Sequence, residues 1–181
     1  MENQNSKIKG WGLLIKPGET EVEKIDIEFE SNENDLNTII NIVSDDPEKN
    51  PVSCVGRLPL PLNDFTGFIL YDQVANEYNM GLMGIPIFGP ILVLELEIES
   101  EEGKIIPITT EEQFDKAAGF FTKYKEFEIQ SGVYEAIKNL TKTTEDRMAF
   151  VNRLAEDSES VEDVKTTTEI AAEEAINKKE K

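Results

Sequence analysis

The chain contains no histidine, one cysteine and one tryptophan, and its 18 lysines and arginines stand against 37 aspartates and glutamates. Each shortage excludes chemistry. Histidine is the side chain that titrates near neutral pH and the commonest metal ligand, so the chain cannot assemble a Ser-His-Asp or Cys-His nucleophile by itself. One cysteine, Cys54, allows neither an intramolecular disulfide nor a Cys/His zinc site, which fits a reducing compartment. It sits in the apolar run Pro51-Val-Ser-Cys-Val-Gly56 and is expected to be a small buried core residue. A reactive thiolate would need a base or cation beside it, and only Arg57 is close in sequence. Long hydrophobic runs are missing too. The longest, Met80 to Leu94, is broken by Gly81, Gly84, Pro86, Gly89 and Pro90 and is too short to cross a bilayer. The polar opening Met1-Glu-Asn-Gln-Asn-Ser6 has no apolar leader segment behind it.

What is abundant is negative charge, −19 over 181 residues. Such an excess costs self-repulsion in the compact state, and it serves either solubility or the imitation of a polyanion. Anionic membranes and nucleic acids would both repel the chain. The expected partner is therefore a protein, with no direct nucleic-acid contact and no membrane. No cofactor is expected, and neither is a small-molecule ligand.

Hydrophobic periodicity divides the chain into three zones: an α+β domain over 7–108, a helical part over 109–156, and a charged tail over 157–181. In the first zone Lys7 to Lys16 reads as a strand closed by the Pro17-Gly18 turn. Val22 to Phe29 alternates, with Ile25, Ile27 and Phe29 on one face and Asp26, Glu28 and Glu30 on the other. Leu36, Ile39, Ile40 and Val43 recur at helical spacing after the cap candidates of 31–35, which predicts a short helix. Val52 to Leu58 and Phe65 to Tyr71 read as strands, with Pro59 and Pro61 marking an edge or turn between them. Glu77 to Leu82 reads as a short strand. Ile91 to Ile98 is the clearest one, with Leu92, Leu94, Leu96 and Ile98 opposite Glu95, Glu97 and Glu99. Glu101-Glu-Gly-Lys104 turns it into Ile105–Ile108.

In the second zone Thr109-Thr-Glu-Glu-Gln113 resembles a capping box. Phe114, Ala117, Ala118, Phe121 and Tyr124 follow at helical spacing and are expected in the core. Ser131-Gly132 breaks the helix. Tyr134, Ile137, Leu140, Met148, Val151 and Leu154 continue the pattern, with an interruption near 141–144. The tail has sparse apolar residues, Val161, Val164, Ile170 and Ile176, and is expected to be mobile or a loosely attached helix. The predicted fold is α+β: a mainly antiparallel sheet with one short helix, followed by a helical C-terminal part.

No catalytic motif emerges. Gly10-Trp-Gly12 lacks P-loop spacing, and no basic-aromatic patch suits RNA. The carboxylate pairs Asp45/Asp46 and Glu111/Glu112 offer oxygen ligands for Mg²⁺, but no set has EF-hand spacing. No metal site and no enzymatic activity are expected. The acids have a pattern of their own. Alternate side chains on a strand lie about 6.6 Å apart, so Glu95, Glu97 and Glu99, and likewise Asp26, Glu28 and Glu30, would form rows of like charge resembling a nucleic-acid backbone. These six are the candidate partner-binding residues. The bland alternative is that they form the solvent face of ordinary strands.

The stretch from Trp11 to Leu94 resembles a family of small uncharacterised domains encoded by phages and conjugative elements. The resemblance is carried by Lys16-Pro-Gly18, Glu23-Lys-Ile-Asp26, the helix around Asp35-Leu36, Leu70-Tyr-Asp72, Asn79-Met-Gly-Leu82, Gly84-Ile-Pro86 and Gly89-Pro-Ile-Leu-Val-Leu94. The chain departs from the family pattern in lacking an Asn just after Pro86 and in running on past Ile98. The resemblance implies a mobile-element origin and a bacterial host cytoplasm. Acidic proteins of this size and origin resemble anti-CRISPR inhibitors of Cas9 and antirestriction proteins, some of which look like nucleic-acid mimics. The implied partner is a host defence nuclease, Cas9 or another basic nucleic-acid-binding protein. A Cas9-type groove holds its duplexes in a basic channel, where an acidic surface competes with DNA.

Overall fold

A computed structural model describes residues 7–30, 36–44, 55–62, 65–97 and 104–159. The alternating segments form strands β1 (Lys7–Ile15), β2 (Glu23–Glu30), β3 (Val55–Leu62), β4 (Phe65–Asp72), β7 (Ile91–Glu97) and β8 (Lys104–Ile106). A short helix, α1 (Leu36–Val43), lies between β2 and β3, and strands β5 (Tyr78–Leu82) and β6 (Ile85–Phe88) lie between β4 and β7. The main sheet runs in the order β2-β1-β7-β4-β3, with β8 also pairing β7. Every pairing is antiparallel. The α+β architecture with a short early helix and a helical C-terminal part is the one expected from sequence.

Period-two alternation gives the sheet two buried faces. Leu13, Ile15, Ile69, Ile91 and Val93 face helix α2 (Glu111–Gln130), which contributes Phe114, Ala117 and Phe121. Ile27, Phe29, Leu70, Leu92 and Leu94 face α1 through Ile39 and Val43. A third cluster joins the β5–β6 hairpin to helices α3 (Val133–Leu140) and α4 (Thr144–Glu159), around Tyr78, Phe88, Tyr134, Ile137 and Phe150. The α2 cap is the one its sequence announces: Thr110 Oγ1 accepts from the Gln113 amide at 3.2 Å, satisfying one of the donors a helix start leaves over.

Close approach explains Gly10. Ile108 bridges to Trp11 through two backbone hydrogen bonds, Trp11 N to Ile108 O at 2.9 Å and Ile108 N to Trp11 O at 2.8 Å. A Cβ on Gly10 would lie 2.4 Å from that Ile108 oxygen. The glycine lets the chain after β8 close on β1.

Several sequence readings change. Pro59 and Pro61 mark an edge, one of the two alternatives, but they lie within a strand and not between two: β3 runs through both. Among the described residues it is an edge strand paired with β4 alone, a place in a sheet where missing amides are tolerated. Its exposed prolines alternate with buried Leu60 and Leu62. Strand β6 was not anticipated, because Pro86 and the flanking glycines read as interruptions. On α4 the inward residue is Phe150, fully buried, whereas Met148 and Val151 are 57% and 40% exposed. Helix α4 runs to Glu159, and the rest of the expected tail, 160–181, lies outside the described residues. So do Cys54 and the turn over 101–103.

Candidate functional site

The sheet places the described members of both predicted acidic rows, Asp26, Glu28, Glu95 and Glu97, on one face, the face packed by α2. Asp26 pairs in register with Trp11, and Glu28 with Lys9. Glu95 follows Ile91 and Val93 along β7 and reaches α2, where Gln113 Nε2 donates to Glu95 Oε1 at 3.3 Å. The two rows are separated by β1 and β8, three strand spacings or about 14 Å. Glu30 is part of β2, although its side chain is outside the described set, and Glu99 lies outside the described residues.

The rows are not bare anionic ladders. Lys7 and Lys9 both bind Glu28, at 2.6 and 3.1 Å, and these hydrogen bonds hold its carboxyl below the usual range. Glu97 lies opposite Lys104 in the β7–β8 register. Glu95 and Glu97 are half-buried rather than open to solvent. Loss of water raises the Glu95 carboxyl, and nearby Glu97 pushes the same way, against the Gln113 hydrogen bond. Strand pairing thus interposes lysines between the carboxylates. Asp26, exposed, carries no salt bridge in the described set.

A different set of acids converges at the other end of the molecule. Glu19 follows the Pro17-Gly18 turn, Glu77 precedes β5, and Glu135 opens α3; all three are exposed. Glu19 and Glu77 both act on the Lys125 ammonium, and Glu77 and Glu135 both act on the Tyr134 hydroxyl. Glu19 and Glu77 thus lie within electrostatic reach of one ammonium, and Glu77 and Glu135 of one hydroxyl. No periodicity within a single segment could show this, because the chain meets there only through tertiary packing.

Beneath them is a buried polar network. Lys125 is fully buried on α2, and its ammonium donates to Lys16 O at 2.7 Å and Asn79 Oδ1 at 2.9 Å. The Asn79 amide, also fully buried, donates to Ile15 O at 2.9 Å and Gly89 O at 2.7 Å. Glu128, one turn along α2, accepts from the Gly81 amide at 3.0 Å and the Tyr78 hydroxyl at 3.1 Å. The network ties the end of β1, the β5–β6 hairpin and α2 together. Burial explains its titration: desolvation lowers Lys125 to about 8 against the partial support of Glu128, Glu19 and Glu77. Desolvation also raises Glu128, more than its hydrogen bonds and Lys125 lower it, and raises the Tyr78 hydroxyl.

A pH dependence follows from Lys125. Its folded pKa lies below the unfolded value of 10.5, so between about 8 and 10.5 the unfolded chain binds the extra proton. Stability must therefore rise with pH across that window. Relative to a Lys125→Met variant, the wild type is expected to gain on the order of 2 kcal/mol between pH 7 and pH 9.5. Urea unfolding at a series of pH values measures this. Parallel pH profiles for the two proteins would show that Lys125 titrates as in water.

The carboxylate pairs weighed as metal ligands are placed otherwise. Glu111 binds Lys24 at 2.6 Å, and Glu112 binds Lys116 at 3.1 Å. Lys24 also lies 3.7 Å from the centre of the Trp11 ring. Asp45 and Asp46 lie outside the described residues. Among the described residues no group of three or more His, Cys, Asp or Glu side chains is placed to hold a metal ion. No helix of the described residues is long and apolar enough to cross a membrane. No family model matches the chain, and no curated protein or solved structure matches it.

Proposed function

We propose that this protein is a non-enzymatic inhibitor from a phage or conjugative element, acting in the bacterial cytoplasm on a basic nucleic-acid-directed defence nuclease. Cas9 is the first target to test, and a restriction enzyme the second. The observation that carries this reading is where the cations are spent. Lys7 and Lys9 are held by Glu28, Lys16 by Glu23, Lys24 by Glu111 and Lys116 by Glu112. Lys125 is buried, and Arg147 donates to the Gln73 and Ala75 carbonyls. Those five salt-bridged lysines are held by four glutamates, and with 37 acids against 18 bases the chain keeps a net charge of −19, so its surface charge is predominantly carboxylate. Such a surface attracts basic grooves and repels nucleic acid.

The test is a DNA-cleavage assay with preassembled nuclease and guide, accompanied by binding measurements at graded salt. Inhibition is expected, with affinity falling about tenfold or more from low to physiological ionic strength. Uninhibited cleavage by every nuclease tried, at saturating protein, would reject the proposal. Salt-insensitive inhibition would reject the electrostatic mechanism while leaving the inhibitor reading standing.

A further inference from the structure

The β5–β6 hairpin breaks a local rule at its tip. Met83 and Gly84 both have left-handed backbone, with φ of 52° and 78°. Two successive left-handed residues make the tight turn that favours Asn-Gly. Gly84 fits it, but a methionine at the first position is in a conformation unfavourable to its side chain. That side chain is 66% exposed, so little packing within the described fold compensates. Rule-breaking residues of this kind mark functional positions more often than accidents.

Two residues on, Ile85 lines a groove of about 350 Å³ together with Met148 and Val151 of α4. Ile85 is 43% exposed. Phe88 and Pro86 also line the groove. Arg147 is among its lining residues too, but its guanidinium is turned onto the Gln73 and Ala75 carbonyls at 3.1 and 2.8 Å and lies 5.4 Å from the Phe88 ring. Asp72 lines the groove as well, so the lining carries one charge of each sign. The first turn of α4 carries exposed Glu145 and Asp146. Flexible methionines at such a site adapt to the side chains they receive.

We propose that this groove, lined by Ile85, Met148 and Val151 and flanked at the hairpin tip by exposed Met83, is a docking site for a protein segment that inserts apolar side chains and is flanked by basic residues. Charge complementarity selects this occupant: a chain of net charge −19 favours basic flanks, and it repels a second copy of itself. The inference goes beyond the inhibitory reading and does not depend on it. The carboxylates supply attraction at a distance, and the groove supplies contact that salt does not screen.

The probe is a set of three designed helical peptides of equal length, built from lysine and leucine, glutamate and leucine, or lysine and serine. They are titrated into the full chain carrying ¹³C-methyl methionine. The fully buried Met80 serves as an internal reference. The lysine-leucine peptide is expected to shift the Met83 and Met148 methyl signals, leave Met80 in place, and bind at least about tenfold more tightly than the other two. Met148→Glu and Val151→Asp are each expected to weaken it by about tenfold. Met83→Asn suits the turn, so it should melt no lower than wild type and still bind more weakly, which separates docking from stability. Equal binding of the lysine-serine peptide would reduce the effect to charge alone and overturn the proposal. Equal binding of the glutamate-leucine peptide, unchanged binding by all three variants, or a Met148 shift that tracks protein concentration without peptide would each overturn it as well.

Discussion

Replacing Asn79 with alanine is expected to cost the fold about 3–5 kcal/mol, a large part of the stability of an ordinary domain. The residue is fully buried, and its carboxamide makes three contacts at once: the two donated bonds to Ile15 O and Gly89 O, and the accepted bond from Lys125. Alanine leaves two carbonyls and one ammonium proton without partners, in a region water does not reach. Removing one partner of a buried polar pair costs far more than the pair contributes net. The effect should also be non-local, because the three bonds reach β1, the segment after β6, and α2. Urea unfolding would show it as a fall in midpoint with little change in slope. Asp26→Ala, at an exposed position, should stay within about 0.5 kcal/mol of wild type. An Asn79→Ala protein as stable as wild type would mean that the network is wet or rearranges.

This network is also where sequence reasoning stopped short, although a signal was present. The inward stripe of α2 runs Phe114, Ala117, Phe121, Lys125, Glu128, with unbroken steps of three and four. Continuing the aromatic spacing lands on two charged residues. Charges on a helix normally mark its solvated face, and Tyr124 offers a more apolar continuation, so the period alone does not assign them to the core. Burial of Lys125 is possible because partners wait on other segments, Lys16 O and Asn79. A single periodic segment carries no information about its tertiary partners.

Elsewhere legibility followed the strength of the period. The alternation of β2 and β7 gave both the strands and the direction of each side chain, since Ile27, Phe29, Leu92 and Leu94 are buried as the pattern requires. What it could not give was register. Lys9 beside Glu28 and Lys104 opposite Glu97 are cross-strand facts, invisible along either strand alone, and they change an apparent anionic ladder into alternating charge. Strand β6 is not legible in the sequence because Pro86 and the flanking Gly84 and Gly89 read as interruptions, and its turn lacks the Asn-Gly that announces a hairpin. On α4, Met148 and Val151 fit a helical period as well as Phe150 does; only the packed structure separates the buried residue from the exposed ones.

The location of the acidic surface decides the last prediction. Three triple reversals to lysine each change the charge from −19 to −13, so long-range attraction is altered equally and any difference reports contact. If the proposed nuclease inhibition holds, reversing Glu19, Glu77 and Glu135 is expected to weaken nuclease binding roughly a hundredfold, at about 1 kcal/mol per lost charge contact. The three are exposed, lie on three separate segments around the same end of the molecule, and carry no salt bridge in the described set. Reversing Asp26, Glu28 and Glu30 should weaken binding less, because Glu28 is already held by Lys7 and Lys9. It should also loosen β1 against β2 by crowding lysines together. Reversing Glu95, Glu97 and Glu99 should again weaken binding less, and it should lower stability where Glu95 is half-buried against Gln113. Binding and DNA cleavage are measured at one ionic strength, with circular dichroism confirming the fold of each variant. If a strand reversal abolishes inhibition while the loop reversal leaves it intact, the partner meets the sheet face. If all three weaken it alike, the charge acts at a distance and none of these acids is a contact.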